Sequence, residues 1–561
     1  MKTLTFLTRL EKLKTSFGTN QQINKYYLLK KLQNRRLTSA EQVIRLHNVL
    51  CFMYAYPDNK EVFLATKSII DSFSERSDLN AFKIKLINSG IAGTDIHYQF
   101  FWPMACWIAE NWPDCFNILW NDVENEEKLL NIIPFIVTSS EAGIFDEYDF
   151  DAKQWLNKLK NKKETAAEFF VLRLKQTYAT DFEREAFHDD VNLNYKLQSS
   201  KTSPNISNSV FSKSRITFHK NALNSKRPIL KFALKKTEFK VKTPSIKDCN
   251  LLVNLARKTM LTHERDLDSF SYGNTRDVKL IEFNDGYQIA CIGMISERRY
   301  LLHATYGFLN MKNGLPIGYF QISSIFNYAE VAFNLFSPFR GAEASLIFSR
   351  NMSVAHNIFE VNSFVLDPYQ LGHDNSDGLK SGVWWFYKKL GFKPMDVRIK
   401  KILRQELQKM KKNSSYRSSL TVLNELASDN MFYNLNDNEK DYKTLGKIGS
   451  VSIAISQYLA SKYGANREFG LEICLKETLA LTGRKNKYNI MIQSEKNAWQ
   501  RWSPLVSSLG KLSNWSSADR KQLGEIISAK GNDNELVYLK KINNHLKLKN
   551  KILTLANRHA S

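Results

Sequence analysis

"GVWWFYKKLGFKP", Gly382 to Pro394, decides how the middle of this chain is read. Val383, Phe386 and Leu390 recur at i, i+3 and i+7, which puts them on one buried helical stripe with Tyr387 at its edge. Gly391 supplies the left-handed residue that ends such a helix, and Pro394 blocks its continuation. Immediately upstream, Ser363 to Leu366 reads as a short buried strand that stops at Asp367-Pro368. Before it, Ala344, Phe348, Met352, Ala355 and Phe359 fall on one face of a helix over 344–359. That helix follows a turn, Ser337 to Ala342, and a strand, Ala329 to Phe336.

Further upstream, Val278–Phe283, Gln288–Ile295, Arg299–Phe308 and Ile317–Phe326 alternate or run apolar as strands do, and Ile246–Met260 has a helical period. Short strand-like runs stand at Ile229–Leu234 and Phe239–Val241. Strands in succession, then helix, strand and helix, predict an α/β or α+β domain over 245–400. With 561 residues the chain is too long for one core, and two to four domains are expected. Residues 1–195 read as a helical N-terminal domain and 401–561 as a helical C-terminal region, with a loop at Phe432–Asp441. The Ser, Asn and Lys content of 196–244 is that of a basic linker with short strands.

Several classes lose their signatures. Arg9, Glu11 and Lys12 interrupt any signal-peptide core, and the longest apolar run, Phe100–Ala109, is about half of what a bilayer requires. The six cysteines are scattered without C-x-x-C, as buried thiols of a reducing cytoplasm would be. No Cys/His spacing suits a metal, and neither a phosphate-cradling G-x4-G-K-[ST] nor a G-x-S-x-G nucleophile turn occurs. Of a net charge of +24, Lys196–Lys242 carries twelve cations against Glu238, and Arg398–Arg417 eight against Glu406. Both stretches are either solvated surface or a surface for nucleic acid or an acidic protein.

The order strand, Arg-Gly turn, helix, strand, loop and Tyr-bearing helix resembles the GNAT superfamily of acyl-CoA-dependent N-acyltransferases. The resemblance spans roughly the 245–400 segment and includes a Tyr-x-x-x-Gly-Phe end, here Tyr387 to Phe392. It implies a GNAT-like fold between helical flanks. It also implies acetyl-CoA or another acyl-CoA as cosubstrate, an amine acceptor, and no metal. The diphosphate of coenzyme A would lie on Phe336, Arg340, Gly341, Ala342, Ala344 and Ser345, where helix N-terminal amides favour anions. Tyr387 would protonate the leaving thiolate, and Glu330 would serve as general base.

The family's turn has Arg or Gln, two residues, Gly, one residue, then Gly or Ala. Here Glu343 stands at the first glycine, either aimed at the diphosphate or packed against the helix start. The loop Tyr369–Asp377 offers His373 and Asp374 as acceptor contacts or as an ordinary surface turn. Asp95 and His97 form either a site or a helix cap beside a hydrogen-bonded histidine. The same segment also fits a binding or scaffold module without catalysis.

Overall fold

From residue 273 onward, apolar and β-branched residues come in runs of eight to eleven. The computed structural model, which describes residues 3–224, 226–341, 343–435 and 447–559, makes each of these runs a strand. β4 (Lys240–Lys242), β5 (Gly273–Glu282), β6 (Tyr287–Met294), β7 (Ala304–Lys312), β8 (Leu315–Ile325) and β9 (Tyr328–Leu335) pair in antiparallel succession. The helix Ala344–Phe359 then carries the chain back so that β10 (Ser363–Leu366) lies parallel to β9. β12 (Met431–Asn434) runs antiparallel between β10 and β11 (Lys393–Pro394), which gives the order β11-β12-β10-β9-β8-β7-β6-β5-β4. The chain is mixed α/β, a nine-stranded mixed sheet with helices before and after it.

β6 and β7 are buried along their whole length because both sheet faces are covered. On one face Phe270, just after the helix Ile246–Thr262, closes so tightly on Gly307 that a Cβ there would lie 2.4 Å from its ring. On the other, Phe359 meets Tyr306 and Phe308 at 4.7 and 5.5 Å, and Tyr538 of the helix Glu535–Asn543 donates to the Leu302 carbonyl.

The first helices share this core. At the β7–β8 hairpin, buried Asn313 donates from Nδ2 to the carbonyls of Ala55 and Thr217, each at 3.0 Å, and so ties the helix Ala40–Ala55 to the sheet. Residues 96–197 hold a second core around a small sheet of β1 (Ile96–Tyr98), β2 (Phe116–Ile118) and β3 (Tyr195–Leu197). The segment read as linker crosses the surface as a packed strap. Ser203, Ser209 and Phe211 are buried, and the Phe211 N–H donates to Gly314.

Local sequence misleads at four places. Ile229–Leu234 is not a strand: Leu230–Lys236 is a helix, because Leu230 and Leu234 at i and i+4 pack toward the helix Ala344–Phe359. There the side chains of Ser353 and Asn357 bind the Leu234 carbonyl. The strand expected at Phe239–Val241 shifts to Lys240–Lys242, an edge strand on β5. Phe432–Asn434, expected in a loop, belong to β12, whose partners lie about 40 and 70 residues away in sequence; 436–441 lie outside the described residues. Arg299, expected at the start of a strand, precedes β7 and is a buried clamp instead.

That clamp anchors the C-terminal helices. Arg299, 1% exposed, donates to the carbonyls of Met294, Lys530 and Asp533 and lies 3.7 Å from the carboxylate of Glu535. Lys530 in turn bonds Glu535 at 2.6 Å and the His303 carbonyl at 2.8 Å. Arg299→Met is therefore expected to cost about 3 kcal/mol or more in urea unfolding, because it leaves several buried carbonyls without a donor and removes one of the two cations beside Glu535. A loss below about 1 kcal/mol, the range of exposed ion pairs, would mean that the clamp does not hold the C-terminal helices.

Candidate active site at the parallel strand pair

β9 and β10 share three residue pairs, Tyr328 with Ser363, Ala329 with Phe364 and Glu330 with Val365. Beyond Glu330 the pairing stops, although β9 runs on to Leu335. β10 ends because Asp367 caps the short helix Pro368–Leu371, its Oδ1 accepting from the Gln370 N–H at 2.9 Å. Gln370 turns back, and its Oε1 accepts from the Phe333 N–H at 3.0 Å. The strands therefore part at their carboxyl ends, the usual place for a ligand crevice at a parallel crossover.

The turn from β9 into the helix Ala344–Phe359 is held locally. Arg340 Nε donates to the Leu335 carbonyl at 2.9 Å, and the guanidinium remains exposed. Gly341 has φ +153°, a conformation that favours glycine, and a Cβ there would meet open space. Ala344 N–H donates to Gly341 at 3.1 Å, while the first-turn amides that follow, Ser345 among them, have no partner within the helix. Ala342 lies outside the described residues. Phe336 supports the turn from below: its ring stacks on His263 at 3.6 Å, its N–H donates to Ile317 and its carbonyl accepts from Phe339. Burial drives the His263 pKa down to about 3, so that the ring in this stack is neutral.

Glu343 takes the inward alternative. It is 9% exposed, and its charge is felt by the buried Tyr56 hydroxyl and by Lys312. Lys312 sits 5.0 Å over the Tyr56 ring and bonds Asp285 at 3.0 Å, and Asp285 also bonds Arg350 at 3.0 Å. Burial first, and then the charge of Glu343, holds the Tyr56 hydroxyl well above the ordinary pKa. The carboxylate is thus buried toward Tyr56 on the N-terminal helix side.

The opening helix, Val383–Leu390, is rotated by one residue from its expected setting. Trp384, Tyr387 and Leu390 are buried while Val383 and Phe386 are half-buried, because the helix is held from two sides. Trp384 Nε1 donates to Leu426 at 2.9 Å on one, and Phe348 packs against Phe386 and Tyr387 at 6.0 and 5.4 Å on the other. The Gly-Phe end has a structural meaning. Gly391 at φ +107° lets the Phe392 N–H return to the Tyr387 carbonyl at 3.2 Å, and a Cβ on Gly391 would lie 3.3 Å from the Tyr433 ring.

Tyr387, 1% exposed, is held above the ordinary tyrosine pKa by burial first and then by Asp367 and Tyr319. Strand alternation puts Phe333, which meets Phe348, on the Tyr387 side of the sheet and Glu330 on the other. Surrounding protein pushes the Glu330 carboxyl upward, with Asp367 adding to the shift. Asp367 is therefore felt by both groups. It escaped the sequence reading as a mere strand end, although Asp-Pro directly after a buried run is the pattern of a capped helix start.

The remaining candidates separate from this site. Asp95 accepts from the Ser199 N–H at 2.9 Å and pairs with Lys196 at 3.1 Å; together these outweigh burial and hold its pKa low. His97 lies opposite Lys196 in the small sheet, so the pair fastens β1 to β3. His373 stands 3.7 Å from exposed Asp374, in the turn after Pro368–Leu371. Among the described residues no group of three or more His, Cys, Asp or Glu side chains could hold a metal, and no helix is long and apolar enough to cross a membrane. The chain matches no family model, no curated protein and no solved structure.

Proposed function

We propose that the chain is a GNAT-like N-acyltransferase that moves an acyl group, acetyl in the simplest case, from acyl-CoA to an amine. The observation that carries this reading is the parting of β9 from β10 beside a helix start, with buried Tyr387 and exposed Glu330 on either side of the gap. Exposed Arg340, the open Gly341 turn and the Ser345 amide offer a diphosphate both a cation and an N–H donor, while the Ala344 amide is spent on Gly341. Glu343 does not oppose this, because its carboxylate is buried toward Tyr56 and Lys312.

In the reaction the amine nitrogen forms a bond to the acyl carbon and gives a proton to Glu330, directly or through water. The carbon–sulfur bond breaks, and the sulfur takes the Tyr387 proton. The two shifts suit these roles: a raised carboxyl is a better base than an ordinary one, and a raised tyrosine stays protonated. Asp367 favours both, since its negative charge disfavours ionisation of each group.

A second reading, association with nucleic acid or an acidic protein, is supported by the helix Val397–Lys412. Ile399, Leu403 and its one acid, Glu406, face inward, which leaves Arg398, Lys401, Arg404, Lys411 and Lys412 exposed.

Tyr387→Phe is expected to lower kcat about 100-fold or more with an unchanged unfolding midpoint. With native protein, kcat/KM should rise with pH through an apparent pKa above the ordinary carboxylate value, a limb that Glu330→Gln removes. Absence of turnover in native protein that binds acyl-CoA would leave the non-catalytic binding module. For the second reading, Lys401→Glu with Arg404→Glu should weaken duplex binding and flatten its salt dependence by about 0.9 per lost phosphate contact. Unaltered binding by that variant would contradict a nucleic-acid role for this helix.

A further inference from the structure

A second concave site lies among residues 480–521, none of which belongs to the strand gap. It is a cleft of about 410 Å³ between the end of the helix Arg467–Leu481 and the start of the helix Ser517–Lys530. Its geometry follows from two glycines. Gly483, at φ +67°, lets its own N–H return to Ala480 and the Arg484 N–H to Leu479, so the helix stops and the chain folds back. Gly524 receives the returning turn: a Cβ there would stand 3.2 Å from that of Thr482 and 3.5 Å from Arg484 Nε. The turn is thereby laid against the second helix, and Arg484 comes alongside Arg520.

Arg484, Lys487, Arg520 and Lys521 line the cleft together with Thr482 and Ser517, and no carboxylate is among the lining residues. Among the described residues none of the four cations is in a salt bridge. Of the neighbouring carboxylates, Glu525 bonds Lys541 at 2.9 Å and only feels Lys521 and Arg484 at longer range, and Asp519 pairs with Lys547. A cation at a helix C-terminus accounts for Arg484 alone. Arg520 Nε is buried without a hydrogen-bond partner, an unmet donor in the wall of the cleft. Four like charges held together with an unmet guanidinium N–H call for an anion with several acceptor oxygens.

We propose that this cleft binds a soluble ligand through a diphosphate or triphosphate group. A single phosphate ester brings at most about two negative charges, so four cations match a chain of two or three phosphates. The volume also falls within the usual small-ligand range of about 300–1,000 Å³. Arg484 and Arg520 supply forked donors to the phosphate oxygens, Lys487 and Lys521 supply charge at the rim, and Ser517 offers a hydroxyl. The site is independent of the acyltransferase reading, since it shares no residue with the strand gap.

The test is thermal unfolding and calorimetric titration of the full chain with inorganic triphosphate and, separately, with a nucleoside triphosphate. Equal affinity for the two would mean that the phosphates alone are read, and tighter nucleotide binding that the base adds contacts. Arg484→Gln with Arg520→Gln should lower triphosphate affinity at least tenfold without lowering the ligand-free midpoint. Lys487→Gln with Lys521→Gln, at exposed positions that cannot unfold the protein, should weaken it as well. Lys162→Gln with Lys163→Gln, exposed and outside both basic surfaces, should leave it unchanged and so control for overall charge. The proposal is overturned by any of three results: no binding of triphosphate at millimolar concentration, equal binding by both cleft variants, or binding of duplex DNA without binding of triphosphate.

Discussion

Two parallel strands that share three residue pairs and then separate set the conditions for everything around them. Had β10 continued beside β9, the N–H groups of Val331 to Leu335 on that edge would have been spent on a ladder, and no gap would exist. Asp367 ends β10 by capping the next short helix, and Gln370 meets the Phe333 N–H so that the open edge is not left unsatisfied. The turn at Arg340-Gly341 and the start of the following helix come directly after the unpaired end of β9, and Glu330 and Tyr387 lie on opposite sheet faces. Topology creates the crevice, and side-chain chemistry is added to it.

Charge is distributed in a manner that suits a donor with phosphates and an amine acceptor. At the helix start the Ser345 amide is left without a helical partner, and Glu343 is buried near Tyr56 and Lys312, where the N-terminal helices meet the turn. Burial raises both Tyr387 and Glu330, and Asp367 adds to each shift with a single carboxylate. The N-terminal helices and the strap after residue 203 brace the β7–β8 hairpin beside that turn. The Arg299 clamp fixes the C-terminal helices beside the start of β7, and the cleft between Arg484 and Arg520 lies among those helices.

The parts that were legible in sequence are those fixed by neighbours a few residues away. The helix Ala344–Phe359 has a clean apolar period, the meander β5 to β9 has short turns, and the Gly391 stop is a local conformational demand. What could not be read depends on distant partners. β12 looks like a polar loop until β10 and β11 close on it. The helix Leu230–Lys236 is decided by the helix it packs against, and the burial of Trp384 rather than Val383 by Leu426. Arg299 carries no motif and Asp367 only the Asp-Pro of a capped helix start, because their further roles arise from the groups that folding brings to them. The inward turn of Glu343 required Tyr56, almost 300 residues earlier, and the phosphate cleft required two helix ends joined over Gly524.

The most direct test of the central claim is hydrogen exchange of the native chain with and without acetyl-CoA, resolved to short peptides. The account predicts slowed exchange in 331–336 and in 343–347, the open edge of β9 and the helix start that would hold the diphosphate. No protection at any concentration, or protection confined to 480–521, would contradict it.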